Sequence, residues 1–89
     1  MLLTVALAAR GAVLEVELFL ATGCPISNRY VPEIRRLAQQ YGGHWVAWFP
    51  EPGLTEDQLR KWAAEWRPGL TVKRDVGARR ARRAGATVT

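Results

Sequence analysis

The feature that most constrains the fold is an apolar run that leads to a cysteine and continues as a helical pattern. Residues 18–21 are apolar at every position, and the chain's one cysteine, Cys24, follows three residues after the run. Pro25 comes next, and proline is favoured at the first position of a helix. This order predicts a buried strand that turns into a helix, with a thiol at the turn. The unpaired N–H groups at a helix start favour the thiolate, so the pattern predicts a reactive cysteine.

Three side chains of this segment are candidate site residues: Cys24, Ser27 and Thr22. The alternative for Cys24 is a small apolar residue in a loop that takes part in no chemistry. We favour the reactive thiol because of its position at the turn. Ser27 either caps the helix, which is the role we prefer, or donates a hydrogen bond to the thiolate. Thr22 either donates to the thiolate or satisfies the turn.

Strand and helix patterns alternate along the whole chain. The predicted strands are residues 2–8, 13–20, 45–49 and 70–72, and the predicted helices are residues 27–41, the segment between Thr55 and Pro68, and residues 76–84. Residues 86–89 are predicted to be a linker into a further strand. Strands that alternate with helices indicate parallel crossovers, so we expect one α/β domain that spans residues 1–89.

The helices have recognisable starts, stripes and stops. The first has a single apolar stripe with a kink at Pro32; the stripe is Ile26, Tyr30, Ile34, Leu37, Ala38 and Tyr41. Thr55 and Gln58 are spaced as a capping box for the second helix. Its inward stripe is Leu59, Trp62, Ala63 and Trp66. Asp75 is the predicted cap of the last helix, and Gly85 is its stop.

Composition narrows the function classes. A single cysteine excludes a disulfide within the chain and a cysteine-rich metal site, and a single histidine, His44, argues against zinc. No Gly-rich phosphate loop is visible, so we expect no metal, nucleotide or flavin cofactor. No apolar run approaches the ~20 residues that span a bilayer.

Each end of the chain has two alternative interpretations. Residues 1–9 are either the apolar part of a signal peptide, which leaves a cytoplasmic or exported location open, or a strand that turns at Gly11; we favour the strand. The formal net charge is +5, and a basic cluster lies near the other end: Lys73, Arg74, Arg79, Arg80, Arg82 and Arg83. No aromatic stacking pair interleaves with these cations, so we expect a solvated surface and no nucleic-acid binding.

The segment Cys-Pro-Ile-Ser-Asn-Arg-Tyr-Val-Pro-Glu-Ile (24–34) resembles the thioredoxin-like fold in its redoxin branch, the alkyl hydroperoxide reductase and thiol-specific antioxidant type. The preceding strand, the extra strand and helix over residues 45–66 and the ending at 85–89 are similar too. The resemblance therefore covers residues 13–89. It implies a three-layer sheet with flanking helices and an oxidoreductase in which Cys24 is the nucleophile at the helix start.

The chain departs from the family pattern at three places. Ser27 stands where dithiol enzymes carry the resolving cysteine, so an external thiol must complete the cycle. Ala21 stands where peroxiredoxins place a threonine, and Thr22 is one residue closer to the cysteine. The sequence ends before the family's cis-proline and final hairpin, so we expect an incomplete domain: a fragment, a truncated product, or a chain completed by a second copy.

This incompleteness carries an expectation about the surface. The strand before Cys24 would have an unpaired edge, at which a homodimer could form. One face of the sheet would lack a covering helix, which makes Trp45, Trp48 and Trp62 candidates for exposed apolar surface.

By this resemblance we expect a thiol–disulfide redox protein that acts through Cys24 on a thiol or disulfide substrate. The alternatives are a one-cysteine peroxidase and a catalytically degenerate interaction module. Fold alone does not choose among them, because one scaffold hosts several activities.

Overall fold

The computed structural model describes residues 4–10 and 13–85, which form an α/β structure. Its strands are β1 (Thr4–Arg10), β2 (Val13–Phe19), β3 (His44–Phe49) and β4 (Thr71–Arg74). Its helices are α1 (Pro25–Arg29), α2 (Val31–Tyr41), α3 (Glu56–Trp66) and α4 (Arg79–Arg83), and a short 3₁₀ helix, Val76–Ala78, precedes α4. The order across the sheet is β1-β2-β3-β4; β2, β3 and β4 are parallel, and β1 is antiparallel to β2. The predicted α/β class with a mostly parallel sheet is confirmed.

One face of the sheet carries the main hydrophobic core. Side chains alternate between faces along a strand, so Leu18 of β2 and Ala47 of β3, which are paired in register, point the same way. The helices α2 and α3 cover this face. The buried residues there are Val16, Leu18, Leu20, Val31, Ile34, Ala47, Phe49, Leu54, Leu59 and Trp62. Their burial holds the two helices against the carboxyl ends of the strands.

The opposite face carries a smaller cluster. Phe19 and Ala81 are buried together there, with Trp48 and Ala78 packed against them. The short helix α4 therefore lies on this face, near the carboxyl ends of β2 and β3. Helices lie on both faces of the sheet, but the second face is covered only by this small element.

The predicted kinked helix over residues 27–41 is wrong, because the chain forms two helices that meet at Tyr30. Pro32 falls in the first turn of α2, where its missing N–H needs no partner. Proline therefore begins a helix here instead of bending one. The break also divides the predicted stripe. Ile34 is buried, but Ile26, Tyr30 and Tyr41 are 46–63% exposed, and Val31 takes the inward position.

The expected unpaired edge beside Cys24 is also wrong. β1 pairs with β2 over its whole length, from Thr4 opposite Phe19 to Arg10 opposite Val13, so β2 lies inside the sheet. This confirms the strand interpretation for residues 4–10; residues 1–3 and the turn at 11–12 lie outside the described residues. Trp62 is buried, and Trp45 and Trp48 are half-buried, so the tryptophans do not form a fully exposed surface.

Glycine is required where α2 turns into β3. Gly43 has φ +90°, and a Cβ there would collide with the backbone carbonyl of Leu14 on β2. Only glycine allows the two backbones to approach this closely. The residue before Gly43, Gly42, caps the end of α2.

The predicted cap of α3 is confirmed. The Thr55 hydroxyl accepts from the Gln58 N–H at 3.1 Å, and the Gln58 side chain accepts from the Thr55 N–H at 2.9 Å. These two bonds form a capping box, which satisfies donors that a helix start leaves unpaired. The inward stripe of α3 is confirmed as well, with Leu59 and Trp62 buried.

The last helix is shorter than predicted. Gly77 and Ala78 have φ of +72° and +54°, which separates the 3₁₀ helix from α4. Ala78, and not Asp75, directly precedes α4, but the buried Asp75 carboxylate reaches over the 3₁₀ helix and accepts the N–H groups of Arg80 and Ala81 in the first turn of α4 at 3.0 and 2.9 Å. The predicted linker at 86–89 lies outside the described residues. Among the helices that are described, none has the length and apolar character to cross a membrane.

Candidate functional site

Cys24 lies in the connection between β2 and α1, directly before the first residue of the helix. Leu20 continues the strand, since its N–H donates to the Trp48 carbonyl at 2.9 Å. The next four residues form a β-turn, closed by the Cys24 N–H donating to the Ala21 carbonyl at 3.2 Å. Pro25 then occupies the first turn of α1. The predicted strand, turn and helix, and the helix-starting role of Pro25, are confirmed.

The cap of α1 is Cys24 itself. Its backbone is extended (φ −92°, ψ 111°), and its Sγ accepts the Ser27 N–H at 3.5 Å. The preferred capping role of Ser27 is therefore wrong, since Ser27 lies inside the helix and its side chain is fully buried. The structure instead brings Ser27 and the sulfur together, as the alternative interpretation expected.

These donors change the acidity of the thiol. The Ser27 N–H lowers the pKa of Cys24 below that of a free thiol, and a hydrogen bond from the Ser27 side chain lowers it further; desolvation opposes both. Donors to a sulfur stabilise the charged form more than the neutral form. Because α1 has only five residues, these local donors matter more than the dipole of a long helix. Cys24 is half-buried, and Gly23 beside it is exposed.

Thr22 has a different partner from the one expected. Its hydroxyl donates to Glu51 Oε2 at 2.8 Å, and its N–H donates to Glu51 Oε1. The hydroxyl proton is therefore held by a carboxylate and not by the sulfur of Cys24. The sequence left two roles open for Thr22, donation to the thiolate or stabilisation of the turn. The structure shows the second.

Sequence reasoning missed Glu51, Asn28 and Trp62 as neighbours of the site. Asn28 donates from Nδ2 to the Thr22 carbonyl at 2.9 Å, and its Oδ1 accepts from Trp62 Nε1 at 3.0 Å. One signal could have found Glu51: it follows β3, and the carboxyl ends of neighbouring parallel strands lie at the same edge of a sheet. Asn28 carries no such signal, because its role depends on a contact with α3.

The remaining polar candidates lie apart from the sulfur or have partners of their own. His44 is exposed at the amino end of β3, the end of the strand away from the turn. Arg80 pairs with Glu17 at 3.2 Å and stacks on the Trp48 ring, with 4.2 Å to the ring centroid. Arg74 pairs with Glu56 at 2.7 Å. Within residues 4–10 and 13–85, no group of three or more acidic, His or Cys side chains could hold a metal ion.

Comparisons of the chain with protein-family models, with curated proteins and with solved structures found no match. A half-buried thiol that accepts a backbone N–H and has a lowered pKa can act as a nucleophile toward sulfur or be oxidised. It cannot form a disulfide within the chain, because Cys24 is the only cysteine.

Proposed function

We propose that this chain is a thiol–disulfide redox protein that acts through Cys24. The observation that carries the proposal is the hydrogen bond that the Ser27 N–H donates to the Cys24 sulfur at 3.5 Å at the start of α1. This donor favours the thiolate, and the thiolate is the form that attacks a disulfide. The same bond caps α1, so the proposal rests on the lowered pKa of the Cys24 thiol together with the bond.

The reaction is an exchange of sulfur–sulfur bonds. The Cys24 thiolate attacks one sulfur of a substrate disulfide, a bond forms between the two sulfurs, and the other substrate sulfur leaves as a thiolate that takes up a proton from solvent. An external thiol then attacks the substrate sulfur of the mixed disulfide. Cys24 leaves as a thiolate, and the substrate sulfur ends in a disulfide with the external thiol. Ser27 stabilises the thiolate in both steps but cannot resolve the intermediate, because it has no sulfur.

We further propose that the fold is thioredoxin-like. In support, the cysteine caps a helix that follows an inner strand, and a parallel strand on one side follows that helix. That strand, β3, and the helix α3 correspond to the extra strand and helix over residues 45–66 for which the sequence resembles the redoxin branch, and β4 extends the sheet beyond β3. The antiparallel β1 occupies the other side of β2.

The peroxidase and interaction-module alternatives gain no support from the site. A peroxidase of the family type would place a threonine hydroxyl at the reacting sulfur, whereas Thr22, two residues before Cys24, donates its hydroxyl to Glu51. An interaction module would need the Cys24 sulfur only as the cap of α1 and not as a thiol of lowered pKa.

The test is the formation of a mixed disulfide with oxidised glutathione, followed by mass spectrometry near neutral pH. We expect one glutathione per chain in the native protein and none in Cys24→Ser. Ser27→Ala should react more slowly, because it removes one donor to the thiolate. Thr55→Ala is the matched control, since it removes a capping hydroxyl from α3 and leaves the sulfur untouched. Equal rates in Ser27→Ala and the native protein would refute the proposed role of Ser27, and a native rate no faster than that of the denatured chain would refute the function.

A further inference from the structure

The carboxylate of Glu51 joins two segments that are far apart in sequence. Glu51 lies in the loop between β3 and α3, and both of its oxygens accept from Thr22, which is 29 residues earlier. One oxygen receives the backbone N–H and the other receives the hydroxyl at 2.8 Å. Two hydrogen bonds to a charged group fix the orientation of Thr22 as well as its position.

The carbonyl of Thr22 is held from the opposite direction. Asn28 of α1 donates to it at 2.9 Å, and Asn28 is itself held by the indole of Trp62 at 3.0 Å. Asn28 and Trp62 are buried, so this bond anchors the turn to the core. All three polar groups of Thr22, its N–H, its carbonyl and its hydroxyl, are therefore bonded to other elements.

Thr22 occupies a position from which it controls the turn. The turn runs from Ala21 to Cys24 and has Thr22 and Gly23 at its two central positions. Gly23 has open space around its Cα and restricts the backbone least of all residues. Because Gly23 does not restrict the backbone conformation of the turn, that conformation depends on the fixed orientation of Thr22.

We infer that Glu51 is a positioning residue for Cys24: by holding Thr22, it keeps the turn in the shape that aims the sulfur at Ser27. The inference deepens the proposed function and rests on it. When the Glu51–Thr22 contact is lost, Cys24 spends less time in its capping geometry, and the thiolate loses the Ser27 donors for part of the time. The pKa of Cys24 then rises.

The direction in which the pKa of Cys24 changes distinguishes a positioning role of Glu51 from a purely electrostatic one. A carboxylate near a thiol disfavours the thiolate, so removal of the Glu51 charge through space alone would lower the pKa of Cys24. Loss of positioning raises it. Thr22→Val gives an independent check, because it removes the hydroxyl donor at nearly constant shape and changes no charge.

The experiment measures two quantities in the native chain, Glu51→Ala, Glu51→Gln and Thr22→Val. The first is the alkylation rate of Cys24 by iodoacetamide against pH, which reports on one thiol because the chain has one cysteine. The second is the hydrogen-exchange rate of the Thr22 amide by NMR. Glu65→Ala is the control, since Glu65 is an exposed carboxylate on α3 and its removal changes the net charge equally.

We expect Glu51→Ala to raise the alkylation midpoint and to speed exchange at Thr22 by about tenfold to a hundredfold, the effect of one lost hydrogen bond to a charged group. Glu51→Gln should give a smaller change in both, because its side-chain carbonyl still accepts the Thr22 N–H. Thr22→Val should raise the midpoint, and Glu65→Ala should change neither quantity.

An unchanged or lowered midpoint in Glu51→Ala, with Thr22→Val unchanged, would overturn the inference. So would unchanged exchange at Thr22. If Glu51→Ala does not fold, Glu51→Gln and Thr22→Val decide the same question. Failure of the proposed function looks different: the native midpoint itself would equal that of the denatured chain, whatever the exchange rate at Thr22.

Discussion

Replacement of Trp62 by phenylalanine tests the core and the support of the site together. Trp62 is 5% exposed, its ring meets Phe49 edge to face at 4.8 Å, and its indole N–H donates to Asn28. Phenylalanine keeps an aromatic ring there but cannot donate. The buried Asn28 oxygen is then left unpaired, which costs about 1–3 kcal/mol. The smaller ring loses about 1 kcal/mol of buried contact.

The sum predicts that Trp62→Phe lowers the free energy of unfolding by about 2–4 kcal/mol. Urea unfolding followed by far-UV circular dichroism measures it, because that signal does not depend on the tryptophan that is changed. With a slope of about 1 kcal/mol per M for a chain of this size, the midpoint falls by roughly 2 M or more. Trp66→Phe, one helical turn later and half-buried, should cost less than about 1 kcal/mol. Equal costs in the two variants would refute the buried bond to Asn28.

Three further changes have predicted outcomes. Asp75→Ala removes the carboxylate that caps α4 and should lower the free energy of unfolding by about 1–3 kcal/mol in thermal unfolding, more than Asp75→Asn. Thr55→Ala removes the capping box of α3 and should cost about 1 kcal/mol in the same assay. The pKa of Cys24 is lower in the folded chain, so folding is favoured most above the unfolded pKa of ~8.5, and this part of the stability disappears as the pH falls through the folded pKa. The native chain should therefore gain stability over Cys24→Ser as the pH rises, as urea midpoints would measure.

Local signals allowed the sequence to predict the elements but not every boundary between them. The capping box at Thr55 and the strand that leads to Cys24 are encoded within a few residues, and both predictions are confirmed. Pro32 is a different case, because a proline inside a helical pattern is consistent with a kink and also with the first turn of a new helix. The residue that decides is Tyr30, which ends α1 and leads into α2.

The site itself was predictable only in part. Cys24 and Ser27 are three residues apart on one helix start, so their contact follows from helix geometry. The bond from Thr22 to Glu51 spans 29 residues and depends on which strands are neighbours. The edge beside β2 is a different case, because the turn predicted at Gly11 already places β1 next to β2, whereas the expectation of an open edge considered only the missing carboxyl-terminal hairpin. Strand order is a property of the whole sheet and not of any segment.

The cations beside the smaller cluster explain why Trp48 is not exposed as predicted. Trp48 was expected to be exposed, but the Arg80 guanidinium covers one part of its ring and the Lys73 ammonium lies 5.7 Å from its centroid. Cations over an aromatic face are attracted by the ring electrons and shield it from water. Part of the basic cluster therefore packs against the protein's own surface.

The most direct test of the central claim is the alkylation rate of Cys24 against pH, measured in native buffer and again in denaturant. We expect a native midpoint below the ~8.5 of a free thiol that returns to that value when the chain unfolds. Such a result means that the fold, through Ser27, activates the thiol. The same midpoint in both states would refute this activation, because the folded chain would then give Cys24 nothing that the unfolded chain lacks.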